Sequence, residues 1–244
     1  MERYKGCILD PKDERDLYFA AEREALASLP PSIKLLPSPA ILDQGKAGTC
    51  VLNASAVAYM DLMIAQGLFV GVPSRLFMRW ITAEFEGDPM EDNGVCIRDT
   101  VKMFIQYGVC SEHEWPYDLS QIFVKPPDHC YYNAKKEKII EYRRIVGEHN
   151  LKACLAEKYP VIIGIPLDEY FEGEEVAATG KMRAFDEKSF VGNHGVLLRG
   201  YDDTNDDEKW FVQNSWGEDW GQKGFFTLPQ GYPMNDCWTL RKIG

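Results

Sequence analysis

The chain has 244 residues, a hydrophobic fraction of 45% and a charged fraction of 27%, values that are ordinary for a folded globular protein. Its formal net charge is −11, from 38 acidic and 27 basic residues, and such an acidic surface is repelled by phosphate backbones. Nucleic acid is therefore not an expected partner, and the length suffices for one large domain or one domain in two lobes.

The sequence predicts neither a membrane span nor a leader peptide. Its most apolar run, residues 51–60, is interrupted by Asn53 and Ser55 and is closed by Asp61, so it is too short to cross a bilayer. The opening residues 1–5 are followed by no apolar h-region. We therefore expect an intracellular, cytoplasmic protein with no membrane partner, in a setting where cysteines stay thiols.

We expect residues 1–43 to form a mostly extended segment that leads into the folded domain, with a short helix within 17–27. Prolines between residues 30 and 39 favour extended backbone there. Residues 50–66 lack proline, are rich in Ala, Leu and Met, and precede Gly67, so they predict a helix. Because this segment is apolar on nearly every side, we expect it to be a buried central helix.

Later segments change from helical to β-rich patterns. A helix is predicted from Ile97 to Gly108, and another over 150–158 with Asn150 as its N-cap. Short runs rich in β-branched and aromatic residues follow, at 161–165, 195–201, 210–213 and 224–228. Helices first and strands second favour an α+β protein with a helical lobe and a sheet lobe.

Cys50 has the features of a nucleophile. It begins the predicted helix 50–66, where free N–H groups and the helix dipole favour a thiolate. Gly45 and Gly48, in the loop before it, let backbone N–H groups approach a substrate closely. The Cys50 N–H and the side-chain amide of Gln44 are therefore candidates to hold a developing oxyanion.

A thiolate of this kind needs a base, and His194 is the best candidate among the four histidines because it opens a predicted strand of the sheet lobe. Asn214 follows in the next strand region, and its amide can accept a hydrogen bond from one imidazole nitrogen and direct the other nitrogen towards sulfur. Trp216 is suited to shield that hydrogen bond from water.

Together these motifs resemble the papain and cathepsin family of cysteine peptidases. The motifs that carry the resemblance are Gln44-Gly-x-x-Gly-x-Cys50, Asn193-His194-Gly, Gly200-Tyr201 and Asn214-Ser-Trp-Gly-x-x-Trp220-Gly, in a chain similar to the family from about Leu29 onward. The resemblance implies a papain-like two-lobe fold, with a helical N-terminal lobe, an antiparallel β-barrel-like C-terminal lobe and the cleft between them. Cys50 would lie on one wall of the cleft and His194 on the other.

The resemblance also implies how the chain is organised and where substrate binds. We expect a single catalytic domain over 1–244, divided into an N-terminal extension (1–43), a mainly helical lobe (44–145) and a mainly β lobe (146–244). Extended peptide would pair with the glycine edge at Asn93 and Gly94. The full set of predicted substrate-binding residues is Asn93, Gly94, Asn193 and Trp216.

Three positions depart from the family pattern. Ala47 replaces a cysteine that is usually paired in a disulfide, which fits a reducing compartment. Val51 replaces the usual tryptophan after the nucleophile, and Gly195 replaces the usual alanine after the histidine. Only 43 residues precede Gln44, so we expect any inhibitory segment to be short, and we hypothesise that residues 1–28 lie across or near the cleft.

The activity that follows is hydrolysis of peptide bonds through a thioester, with endopeptidase action as the default. Two alternatives remain at this stage: an acyltransferase or deamidase with the same constellation, and a catalytically silent papain fold that binds peptides. We expect no cofactor or metal, since no cysteine pair has C-x-x-C spacing. The acidic run 202–208 is read as a solvated hairpin turn in preference to a calcium loop. The sequence does not decide whether disulfides form among Cys7, Cys96, Cys110, Cys130, Cys154 and Cys237.

Overall fold

The computed structural model describes residues 6–68, 71–136 and 138–243. The helices are α1 (Arg23–Ala27), α2 (Cys50–Ala65), α3 (Arg75–Glu86), α4 (Ile97–Gln106), α5 (Asp128–Ala134), α6 (Glu148–Ala156) and α7 (Glu174–Thr179). The strands are β1 (Cys7–Ile8), β2 (Ser32–Lys34), β3 (Val95–Cys96), β4 (Ile139–Ile145), β5 (Val161–Asp168), β6 (Phe190–Asp202), β7 (Trp210–Gln213), β8 (Phe225–Leu228) and β9 (Asn235–Ile243). Long helices lie early and long strands late, so the predicted α+β class is confirmed.

The central helix α2 is buried on all sides over residues 50–60, as its continuous apolar sequence predicts. Helix α3 follows it and is well delimited. The Ser74 hydroxyl accepts from the Phe77 N–H at 3.2 Å at its start, and Gly87 ends it in a left-handed conformation. These two helices and α4 form the helical part of the molecule.

The main sheet is antiparallel, with the strand order β4-β9-β5-β6-β7-β8, and β2 pairs with β6 outside this path. Strand β6 is the longest at 13 residues, and it pairs with β5 so that His194 lies opposite Ile165. Strands β4 and β8 end the path and do not pair with each other in the described chain. The expected barrel-like lobe is thus an open sheet rather than a closed barrel.

Two hydrophobic clusters meet near the start of α2. One joins α2 to α4 and β9, with Leu52, Phe104 and Trp238 fully buried. The other lies within the sheet part and contains Phe171 and Phe226. Cys50 belongs to the first cluster and Trp216 to the second, so these two residues mark the junction between the helical part and the sheet part.

The N-terminal helix is shorter than predicted, and the predicted N-cap of α6 is wrong. Helix α1 covers only five residues, because the backbone around Tyr18 and Phe19 instead pairs with Arg144 of β4. Helix α6 begins at Glu148, with Gly147 at the N-cap position. The Asn150 side chain accepts from the Ala21 N–H at 3.2 Å, so this amide holds the N-terminal extension instead of capping a helix.

Within the part of the chain that the structure describes, no helix combines the length and the apolar character that a membrane crossing requires.

Candidate active site

Cys50 is the first residue of α2, and its side chain is fully buried. Its sulfur accepts a hydrogen bond from the Gly195 N–H at 3.2 Å, so strand β6 lies directly over the helix start. Burial raises the pKa of the Cys50 thiol, and hydrogen bonds from the backbone N–H groups of Gly195, Gly6 and Val51 oppose that rise. The residue thus lies among donors that would stabilise a thiolate.

His194 lies on β6 immediately before Gly195, and its Nε2 is 2.8 Å from Asn214 Oδ1. The Ser215 N–H donates to the same Asn214 oxygen at 2.9 Å, which identifies that atom as an acceptor. The His194 Nε2 must therefore carry the proton, and Nδ1 is the nitrogen left for acid–base chemistry. The sequence prediction that Asn214 orients His194 agrees with this geometry.

Aromatic rings enclose the His194–Asn214 hydrogen bond. The Trp216 ring lies 5.5 Å from the imidazole, centroid to centroid, and Phe171 lies 5.8 Å from it. Trp216 is 6% exposed and Phe171 is fully buried, so the pair keeps water from the hydrogen bond. Sequence reasoning singled out Trp216 but missed Phe171, which stands in an otherwise acidic stretch.

Gln44 is fully buried beside the start of α2, and its amide is fixed at both ends. Its Oε1 accepts from the Ser215 hydroxyl at 2.6 Å, and its Nε2 donates to the Ala47 carbonyl at 2.7 Å. The Gln44 N–H also donates to the Ser215 carbonyl at 2.8 Å. Ser215, which sequence reasoning did not assign a role, therefore joins the Gln44 loop to Asn214.

The packing against Val51 requires a glycine at position 195. A Cβ at Gly195 would lie 2.7 Å from Val51 Cγ2 and 2.9 Å from the Val51 Cα. No side chain fits that space, since real Cβ atoms do not approach other heavy atoms so closely. The two departures Val51 and Gly195 are thus coupled, because the glycine lets β6 contact α2 and place its N–H on the Cys50 sulfur.

The predicted substrate-binding residues are placed in different ways. Gly94 lies in the cleft with φ +82°, against Gly6 of the chain's own N-terminal segment. Asn93 is exposed, and its amide donates to Glu91 at 2.8 Å. Asn193 pairs with Pro166 in the sheet beside His194. Gly94 is therefore brought to the cleft, whereas the Asn93 side chain is engaged by a neighbouring carboxylate.

The N-terminal segment 6–9 occupies the cleft over Cys50. Gly6 is buried, its carbonyl accepts from the Val95 N–H at 3.0 Å, and its own N–H points to the Cys50 sulfur. Strand β1 then continues parallel to β3, with Cys7 opposite Val95. The group that faces the nucleophile is thus an N–H donor, while the nearby carbonyl is turned towards β3.

Charged residues fasten the segment beyond the cleft. Asp10 accepts from the Trp238 indole N–H at 2.7 Å and from the Arg98 backbone N–H at 3.0 Å. Asp16 forms an ion pair with Arg144 at 2.8 Å, and Arg144 also pairs with Asp236 at 2.6 Å. Burial, together with the nearby Asp236 charge, raises the pKa of Asp10 to about 6.

Two groups of acidic residues in the described chain are already engaged by donors of the chain itself. In the run 202–208, Asp203 pairs with Lys152 at 2.6 Å and with Lys209 at 2.9 Å, so the chain's own ammonium groups neutralise it. Elsewhere in the described ranges, Glu86, Cys96 and Asp99 lie within reach of one ion. The Glu86 carboxylate already accepts from the Cys96 N–H at 2.8 Å. None of the seven cysteines forms a disulfide in the described structure.

Comparison with known proteins agrees with the geometry. Residues 86–241 match the family model described as papain family cysteine protease, a range that contains His194 and Asn214 and begins after Cys50. An uncharacterised peptidase C1-like protein of Acanthamoeba polyphaga mimivirus is 30% identical over all of this chain and 88% of its own length. Mouse cathepsin K is 35% identical over 77% of this chain and 55% of its own length.

Solved structures give the same picture. Xylellain, a cysteine protease from Xylella fastidiosa, matches with a TM-score of 0.90 and 32% identity over 99% of this chain and 98% of its own. Procathepsin B from Trypanosoma congolense matches in fold, with a TM-score of 0.80, 17% identity, and coverage of 98% and 87%. The two-lobe architecture is thus confirmed, and the chain belongs to the papain family of cysteine proteases. It is accordingly a thiol-dependent hydrolase of the peptidase class.

Proposed function

We propose that this chain is a latent cysteine endopeptidase in which Cys50 is the nucleophile, His194 the acid–base group and Asn214 the residue that orients His194. One observation carries the assignment: the Gly195 N–H, adjacent to His194, contacts the Cys50 sulfur while His194 Nε2 is held by Asn214. The nucleophile at the start of α2, the base on β6 and the orienting amide directly after β7 therefore act at one site.

The reaction runs in two halves. His194 Nδ1 takes the proton of the Cys50 thiol, the sulfur attacks the scissile carbonyl carbon, and the oxyanion that forms is held by the Cys50 N–H and the Gln44 side-chain amide. His194 gives its proton to the leaving amine nitrogen as the C–N bond breaks, which leaves a thioester on Cys50. His194 then takes a proton from water, the hydroxide attacks the thioester, and the carboxylic acid leaves with the thiolate restored.

Endopeptidase action is supported by the way the cleft holds an extended chain. Residues 6–8 lie in it and pair through their backbone with Val95 and Cys96. Backbone pairing of this kind binds extended peptides of many sequences. The predicted roles of Gly94, Asn93, Asn193 and Trp216 in substrate binding belong to this proposal.

Latency is the second half of the proposal. Residues 6–9 fill the cleft that a substrate needs, and the N–H of Gly6 faces the sulfur where a carbonyl carbon would be attacked. Protein substrates would therefore gain access only after this segment moves. The procathepsins among the structural neighbours are precursors by their names, which agrees with an inhibitory segment in this chain.

We also propose that the enzyme works in a reducing compartment. Ala47 stands where the family usually has a paired cysteine, and the chain carries seven cysteines, so an oxidising compartment would present many thiols for wrong pairing. When the protein is isolated without reductant and then unfolded, we expect all seven thiols to react with a thiol reagent. Fewer titratable thiols would contradict this placement.

Product analysis tests the function directly. The full-length chain and its Gly6→Ala variant are incubated with an unfolded protein substrate, and new termini are mapped by mass spectrometry. Cuts at internal bonds, each with one water added, support the endopeptidase proposal. Removal of residues from one end only would indicate an exopeptidase. Transfer to an added amine, or loss of ammonia from glutamine, would identify the acyltransferase or deamidase alternative.

A further inference from the structure

An Arg–Tyr pair lies against the loop 43–49, with Arg75 buried and Tyr117 half-buried. The Arg75 guanidinium carbon is 3.6 Å from the centre of the Tyr117 ring, and Arg75 is 6% exposed. Two parallel hydrogen bonds to Glu112, at 2.7 and 3.0 Å, neutralise the cation. The mechanism above assigns no role to Arg75, Tyr117 or Glu112.

Arg75 fastens the beginning of the loop and, through Asn53, its end. Its Nη1 donates to the Asp43 carbonyl at 3.0 Å and to Asn53 Oδ1 at 2.7 Å. Asn53 in turn donates from Nδ2 to the Thr49 carbonyl at 2.8 Å. The guanidinium thus spans the whole loop, because Asp43 and Thr49 are its first and last residues.

The Tyr117 hydroxyl makes a second connection between the beginning and the end of the loop 43–49. It donates to the Gln44 carbonyl at 2.9 Å and lies 2.5 Å from Thr49 Oγ1. Because a phenol has one proton, Thr49 must be the donor in the second contact, and Asn53 Nδ2 donates to Thr49 Oγ1 at 3.1 Å. One directed chain therefore runs from Asn53 through Thr49 and Tyr117 to Gln44.

We propose that Tyr117 and Arg75 are positioning residues for oxyanion stabilisation, which they serve by holding Gln44 and the N–H of Cys50 at a fixed separation. The inference rests on the proposed peptidase function and adds to it. Oxyanion donors accelerate a reaction to the extent that they are held in place before charge develops. Burial raises the pKa of Tyr117, so its hydroxyl keeps its proton at neutral pH and remains a donor.

The test compares two reactions of the same sulfur in the full-length Gly6→Ala chain. Alkylation by iodoacetamide forms an S–C bond and releases iodide, so it needs the thiolate but no oxyanion donor. Hydrolysis of a fluorogenic peptide needs both. Tyr117→Phe removes the hydroxyl and keeps the ring under Arg75. Tyr201→Phe is the matched control, since it deletes the hydroxyl of a buried tyrosine, which donates to the Pro30 carbonyl at 2.7 Å, outside the loop 43–49.

We expect Tyr117→Phe to lower kcat and kcat/KM together by about 10-fold, with KM and the alkylation rate of Cys50 within about 2-fold of the parent chain. The control keeps both rates. Arg75→Lys retains the charge but loses the planar fork and should show the same split. An unfolded chain also reacts with iodoacetamide but hydrolyses no peptide, so the two rates are compared in samples whose circular dichroism spectrum matches that of the parent chain.

Three results separate the possible failures. If the parent chain alkylates at Cys50 but hydrolyses no peptide, the proposed function fails and this inference fails with it. If the parent hydrolyses peptide and Tyr117→Phe keeps its kcat, the inference alone is overturned. If alkylation and hydrolysis fall by the same factor in both Tyr117→Phe and Arg75→Lys, the pair supports the fold or the thiolate, and a positioning role for the oxyanion is excluded.

Discussion

Gly6 lies against Gly48 so closely that a Cβ on Gly6 would stand 1.9 Å from the Gly48 carbonyl oxygen. On its other side Gly6 meets Gly94, whose own Cβ would lie 2.3 Å from the Gly6 carbonyl oxygen. The N-terminal segment therefore passes the nucleophile through a slot that admits only backbone. This contact makes the seating of the segment sensitive to a single methyl group.

Gly6→Ala should release the segment from the cleft of the intact chain. The added methyl cannot share space with the Gly48 carbonyl, so the segment has to leave the slot. We expect alkylation of Cys50 by an epoxide warhead to accelerate at least about 10-fold, since a segment displaced by roughly 1.4 kcal/mol is exposed ten times as often. Gly71→Ala, at an exposed site with room for a methyl group, serves as the control. An unchanged or slower rate would show that the methyl is absorbed by the active-site loop.

The stability of the intact chain should fall as pH rises through the titration of Asp10. Its pKa is raised to about 6 in the folded chain from an ordinary value of 3.8, so the folded state holds this proton more tightly than the unfolded state. The stabilising contribution of protonated Asp10 is complete below about pH 4 and is lost by about pH 6.

Asp10→Asn checks this assignment, because it removes the titrating group. The free energy of unfolding, measured by urea titration at steps from pH 4 to pH 7, should vary less with pH in the variant than in the parent. The variant is also expected to be less stable at every pH, since an amide cannot accept from both Trp238 and Arg98. Parallel pH profiles of the two proteins would assign the titration to another group.

Asn214→Ala should lower kcat with little change in KM. Without the amide oxygen, the imidazole of His194 loses the bond that fixes its tautomer and its angle, and a loss of about 100-fold in kcat is expected. Steady-state kinetics in the Gly6→Ala chain measure this effect. Asn205→Ala, on the exposed acidic turn, is the comparison variant. A rise in KM at constant kcat would instead make Asn214 a substrate-binding residue.

Arg199→Met should destabilise the protein strongly. Arg199 of β6 is buried, forms an ion pair with Asp61 of α2 and donates to the Leu35 carbonyl at 2.9 Å. Its removal leaves Asp61 largely buried without a partner, so we expect a loss of about 3–5 kcal/mol in the free energy of unfolding. Arg15→Met deletes the pair that the exposed Arg15 forms with Asp13 and should leave the urea midpoint almost unchanged. Similar urea midpoints for both variants would contradict the assignment.

The residues of the proposed catalytic site could be singled out from the sequence because each of them lies in a short motif with its own local structure. Cys50 follows a glycine loop and begins an apolar helix, and His194 lies in a strand, β6, which begins at Phe190 and not, as predicted, beside the histidine. The structure brings β6 onto the start of α2, which local patterns do not encode. What supports the site was missed for the same reason: Ser215, Arg75 and Tyr117 act through contacts between distant segments.

Several elements escaped prediction, and for helix α3 and strand β9 the packing explains why. Helix α3 carries Arg75 and Arg79 on a buried face, where ion pairing and carbonyl contacts satisfy them, so its apolar periodicity is broken. Strand β9 lies between β4 and β5 and is buried on both faces over residues 237–240, so it lacks the alternation of a half-exposed strand. The division of the chain at residues 43 and 145 stays a prediction.

Covalent labelling of the Gly6→Ala chain by an epoxide warhead, with the modified residue mapped by mass spectrometry, tests the Cys50–His194 pair most directly. We expect one equivalent of label on Cys50, none after Cys50→Ala, and much slower labelling after His194→Ala. Label distributed over other cysteines, or a rate at Cys50 that is independent of His194, would contradict the assembled thiolate–imidazolium pair on which the proposed activity depends.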